Sequence, residues 1–169
     1  MGKSKELFMQ MRQEEEFINQ KNQIIMKKVE NTTVEAPKET KEETLKRLFK
    51  ENGLVKEDVY KDKRGFVIIT RTGIDKIVAK QNIQVAYEPV MMTPEWVVLR
   101  ATASMKVGSS ENDVRNVMTF GEASDSNLMG GGKKFPVAMA EKRAMSRAVL
   151  KLSGLYAQGV FGQDEIVDE

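Results

Sequence analysis

Between residues 83 and 120 the chain alternates apolar and polar side chains with a period of two, in three successive runs. "IQVAYEPV" (83–90) sets Ile83, Val85 and Tyr87 on one side. "WVVLRATASMKV" (96–107) sets Val97, Leu99, Ala101, Ala103, Met105 and Val107 against Val98, Arg100, Thr102, Ser104 and Lys106. "DVRNVMTF" (113–120) sets Val114, Asn116, Met118 and Phe120 against Arg115 and Val117. Successive side chains leave a strand on opposite faces, so each run reads as a half-buried strand. The links "MMTPE" and "GSSEN" are too short for a crossover helix, which makes the neighbours antiparallel. A three-stranded meander follows, with an apolar face and a face carrying Arg100, Lys106 and Arg115.

Helical signals flank this sheet. Thr40 and Glu43 stand three residues apart as a capping box opening "EETLKRLFKEN", and Gly53 closes that helix. "FVIIT" (66–70) has the β-branched composition of a further strand, making the sheet three- to four-stranded. Thr72 and Asp75 then offer a capping pair for a short helix in "GIDKIVAKQN". Upstream, residues 3–29 carry Leu7, Phe8, Met11, Phe17, Ile18, Ile24 and Ile25 on an irregular helical stripe, and "NTTVEAPKETK" (31–41) reads as a linker. The organisation expected is an N-terminal helical extension (1–30), a linker (31–41), a folded domain (42–160) and an acidic tail (161–169). The class is α+β: an antiparallel meander packed against a C-terminal basic helix.

That helix opens with Pro136 and runs to Ser153. At 100° per residue, Val137, Ala144, Met145, Ala148, Val149 and Leu152 gather on one arc, and Lys142, Arg143, Ser146, Arg147 and Lys151 on the other. Ala140, Ala144 and Ala148 would let its dry side approach a sheet closely. Glu141 falls in the apolar arc, where it needs a basic partner, unless it sits at a frayed first turn favoured by the helix dipole. Charge is segregated here: Lys133, Lys134, Lys142, Arg143, Arg147 and Lys151 face Glu141 alone, whereas the last eight residues hold Asp164, Glu165, Asp168 and Glu169 with no base. Such a pattern suits a surface for a polyanion beside an acidic tail, or simply a solvated face. The glycine-rich "GEASDSNLMGGGKK" (121–134) joins meander to helix. It is not a phosphate-binding P-loop, because Asn127 stands where that pattern needs Gly and Lys134 where it needs Ser or Thr.

Several chemistries are excluded outright. The chain has no Cys and no His, so thiol nucleophiles, disulfides and the commonest general base and metal ligand are missing. A Mg²⁺-dependent nuclease would draw on Glu122, Asp125 and Asp164, but no acidic pair has the spacing of a metal-binding strand or helix. No catalytic residue, metal or cofactor is expected. The absence of a long apolar run points to a cytoplasmic protein with no membrane partner.

The ordered series "TGIDKIVAKQNIQV", "EWVVLRATASMKV", "GEAS" and "AMAEKRAMSRAVLKLSG" followed by "GQDE" resembles the single-strand annealing proteins of bacteriophages of the Erf and Sak type. More distantly it resembles the annealing domain of the eukaryotic Rad fifty-two protein. The likeness spans residues 64–165 and implies a β-β-β-α annealing core. By that resemblance the DNA-contacting helix presents Arg147 and Lys151, with Arg143 a turn earlier and Lys142 a weaker member. Rad fifty-two relatives carry two adjacent basic residues where this chain has Arg147 and Ala148, so only the first is kept. Lys133 and Lys134 precede the helix, and Arg71, Lys76, Lys80, Arg100, Lys106 and Arg115 are the candidates from strands and hairpins.

The function implied is ATP-independent binding and annealing of single-stranded DNA in phage homologous recombination. The protein would act as a homo-oligomeric ring or filament, with a single-strand-binding or replication protein as a further partner. Phosphate contacts give sequence-tolerant affinity, and aromatic rings add stacking. Phe135, between Lys134 and Pro136, is the foremost stacking candidate, against packing under the loop; Trp96 reads as core or interface. The competing expectation is a structural or replisome adaptor whose basic helix meets an acidic protein.

Overall fold

The computed structural model of the chain describes residues 39–110 and 112–166. The expected N-terminal helix, and the linker as far as residue 38, lie outside the described residues. Thr40 begins the folded unit. Its hydroxyl accepts the Glu43 N–H at 3.3 Å while the Glu43 carboxylate accepts the Thr40 N–H at 2.9 Å, so the capping box is formed as the sequence predicts. Helix α1 (Lys41–Glu51) therefore starts on what reads as the linker's last residue.

Two sheets follow, and the coarse class is α+β. The first sheet has strands β1 (Val59–Lys61) and β2 (Val67–Ile69) as an antiparallel hairpin. Helix α2 (Arg71–Gln81) comes next, capped by Thr70 rather than Thr72: the Thr70 hydroxyl accepts the Gly73 N–H at 3.2 Å. Thr72 lies inside the helix, and Asp75 pairs with Arg71 at 3.2 Å one turn away. Thr70 wins because the strand ends there in extended backbone, the geometry a cap residue needs.

The second sheet is β3 (Gln84–Met92), β4 (Trp96–Lys106) and β5 (Val114–Ser124), antiparallel in chain order. Helix α3 (Pro136–Leu152) packs on it, and β6 (Val160–Gly162) then returns to pair in parallel with β2. Neither β1 nor β6 is legible in the sequence. Three-residue strands carry too little alternation to register, and β6 lies in the stretch that reads as a helix exit and acidic tail.

The inner face of β4 is as expected, with Val97, Leu99, Ala101, Ala103 and Met105 buried. The phase of β5 is the reverse of the sequence expectation. Thr119 and Ala123 are buried, as is Gly121 beside them, whereas Val114, Met118 and Phe120 face outward. The register fixes this, since Thr119 pairs with Ala101 and Gly121 with Leu99. The reason is helix approach: a Cβ on Gly121 would lie 2.0 Å from the Ala140 carbonyl oxygen and 2.4 Å from the Ala144 nitrogen. Bulky residues cannot occupy that side, so they take the other. Arg115, paired with the inward Met105, consequently does not share a face with Arg100 and Lys106.

Among the described residues, no helix is long and apolar enough to cross a membrane.

Candidate nucleic-acid interface

Helix α3 is not a half-wet helix. It lies against β4 and β5 on one side and against α2, β6 and the turn Gln163–Glu165 on the others. From Ala140 onward only Glu141 and Lys151 are exposed. Glu141 thus faces solvent on the second turn and is neither a buried acid nor a first-turn acid. Val137, placed on the dry arc by its angle, is also exposed.

The largest correction concerns Arg143, which is only 7 % exposed. Its Nε donates to the Asp164 carbonyl at 2.9 Å, one terminal nitrogen to the Glu122 carbonyl and the Asn127 side chain at 2.7 Å each, and the other to the Asn127 carbonyl at 2.8 Å. Burial lowers its pKa from the ordinary arginine value. The guanidinium is a strut joining α3 to the end of β5, the loop beyond it and the C-terminal turn. Ser146, also assigned to the wet arc, is fully buried, with its hydroxyl 3.1 Å from the Asp164 carboxylate.

The other cations are engaged in varied ways. Arg147 donates to Glu165 at 3.1 Å and to the Phe120 carbonyl at 2.6 Å. Arg71 meets Asp75 and, at 3.6 Å, Asp164. Lys76 holds the buried Asp58 at 2.8 Å, Arg100 pairs with Glu88, and Lys80 lies 3.4 Å from the Lys50 carbonyl. Arg115 caps the C-terminus of α3 through the Leu152 carbonyl at 3.3 Å, and the Lys151 ammonium lies 5.5 Å from the centre of the Tyr156 ring. The acidic end is therefore no tail as far as Ile166: Asp164 and Glu165 fold back onto the basic helix and neutralise part of it. Residues 167–169 lie outside the described residues.

What stays open is the entrance of α3. Lys133 and Lys134 end the turn Gly130–Lys134 and are exposed. Phe135 projects into solvent, 65 % exposed. Lys142, half-buried and with no ion pair among the described residues, lines a cavity of about 310 Å³ with Arg71, Met129, Gly132, Met139 and Asp164. Lysines, an aromatic face and a mixed cavity meet here within one loop and the first turns of one helix. Of the sequence candidates, Lys142, Arg143 and Arg71 line one cavity, and Lys133, Lys134 and Phe135 stand exposed in the adjoining loop; Lys76, Lys80, Arg100, Lys106 and Arg115 do not line it.

A cluster of aromatic rings with an arginine at one end escaped sequence reasoning. Phe66 and Phe161 meet edge to face at 5.4 Å, Tyr156 and Phe161 at 5.8 Å, and Arg64 lies 5.5 Å from the Phe66 ring centre. These rings are brought together by the pairing of β2 with β6, which no local signal announces. Tyr87 is half-buried, and burial, helped by the charge of Glu141, pushes the pKa of its hydroxyl up to about 12.

Comparison with protein-family models, with curated proteins and with solved structures found no match.

Proposed function

We propose that this protein binds single-stranded DNA and anneals complementary strands without ATP, as an oligomer in phage-type recombination in the cytoplasm. The observation that supports this most is Phe135. A large apolar ring, 65 % open to water and directly following two exposed lysines, suits a base-stacking platform beside phosphate contacts. Lys142 carries positive charge into the adjacent cavity, which Arg71 also lines while paired with Asp75 and Asp164. The interface lies at the entrance of α3 rather than along its length, because Arg143 and Arg147 are held by the protein's own oxygens. The adaptor reading has less support on the helix itself, where Glu165 already pairs with Arg147 and Arg143 is buried among the protein's own oxygens.

The test is fluorescence anisotropy with a labelled oligothymidylate across a salt series, together with a strand-annealing assay. Each phosphate contact to a single strand contributes about 0.7 to the slope of log affinity against log salt. The double variant K133A/K134A is expected to reduce that slope by about 1.4. Phe135→Ala should weaken binding about tenfold with the slope unchanged, as loss of one stacked base requires. Unaltered binding in both variants would refute the assignment.

A further inference from the structure

The outer face of the β3–β4–β5 sheet has no covering layer among the described residues. Trp96, Met118 and Phe120 stand on it, 45 %, 54 % and 45 % exposed, with Met91 and Val98 in the adjoining row. An apolar face of this extent marks an interaction site. Its charges are Glu88, Arg100, Lys106 and Glu122, which sum to zero, so it offers nothing to a polyanion.

We infer that this face is the contact surface for a second copy of the chain, the two sheets packing face to face about a two-fold axis through Thr102. The register decides the direction. With the axis perpendicular to the strands, Thr102 meets Thr102, Met118 meets Met118 and Ala86 meets Ala86 across the axis. The Glu88–Arg100 pair then faces the partner's Gln84 and Ser104, and Lys106 falls over the partner's Val98, beside the partner's Glu122. With the axis along the strands, Lys106 would face Lys106 and Arg100 would face Arg100, so like charges exclude that arrangement. Three strands about 4.8 Å apart and about 35 Å long bury about 1,000 Å² in total over both copies, at the lower limit for a specific interface. The dimer therefore dissociates on dilution. This inference does not rest on nucleic-acid binding.

Sedimentation of the full chain without nucleic acid, from about 1 to 500 µM, tests it. Lys106→Glu and Glu122→Lys should each raise the dimer dissociation constant about tenfold, and K106E/E122K, which restores opposite charges across the axis, should return to within about threefold of the parent. Met118→Glu, at the axis, should abolish dimerisation. Trp96 is the only tryptophan and lies at the rim, so its emission should shift to shorter wavelength as dimer forms. The inference is overturned if the parent stays monomeric throughout, if the double swap is no better than the single reversals, or if Trp96 is already shielded in the monomer.

Discussion

Arg143 shows how far a single side chain can depart from its helical angle. Its position on the wheel is beside Lys142 and Arg147, yet four hydrogen bonds to oxygens of β5, the following loop and the C-terminal turn require it inside. Arg143→Ala leaves those buried acceptors unpaired and should cost about 3 kcal/mol in urea unfolding. Arg143→Lys should recover little of that, because a single ammonium cannot span the same fork. Gly121 is set by a different constraint, the absence of space. Gly121→Ala forces α3 away from β5 and should cost about 3 kcal/mol by the same measurement, whereas an alanine at the exposed Gly131, with nothing within 4 Å, should be nearly neutral. Asp58 is buried, which by itself would raise its pKa, but the Lys76 ammonium and the Val55 N–H outweigh burial and hold it below the ordinary value. A lowered folded pKa means that its stabilisation is full above the unfolded value of about 3.9 and disappears as pH falls through the folded value. Asp58→Asn should therefore be less stable than the parent at pH 7 by about 2 kcal/mol, and the gap should close below about pH 4.

At the scale of elements, α3 and the C-terminal turn form one unit. The turn supplies Asp164 and Glu165 to cations on α2 and α3, and Gly162 makes room for it, since a Cβ there would lie 2.7 Å from that of Ser146. Glu165 is 6 % exposed in its side chain and has one carboxylate oxygen without a partner, so its grip on Arg147 is incomplete. Glu165→Gln releases that charge. With the interface at the entrance of α3, stability should fall while oligonucleotide affinity in low salt stays within about twofold; a threefold rise in affinity would extend the interface to Arg147. The start of α1 and the span of α3 were legible because capping residues and proline act locally. The cap of α2 was not, because two threonines two residues apart compete and only the end of β2 chooses between them.

Across the whole molecule, α3 is shared by both sheets, with Ile69, Ala103, Val149 and Val160 in one hydrophobic cluster. The two sheets should therefore unfold together: hydrogen exchange at the slowest amides of β2 and β4 should give the same opening free energy, and Ile69→Ala should lower both equally, by about 2–4 kcal/mol. The sequence alone determined the antiparallel strands, the inner face of β4, the first helix cap and the basic helix, since period-two alternation, capping chemistry and a proline start are written within a few residues. Tertiary structure decided which face of β5 turns inward, which arginines are struts, and where the acidic end rests. Those outcomes depend on the distance between helix and sheet and on the closure of β6 onto β2 from more than ninety residues away. The available space and a long-range pairing set them, and neither leaves a mark on neighbouring residues.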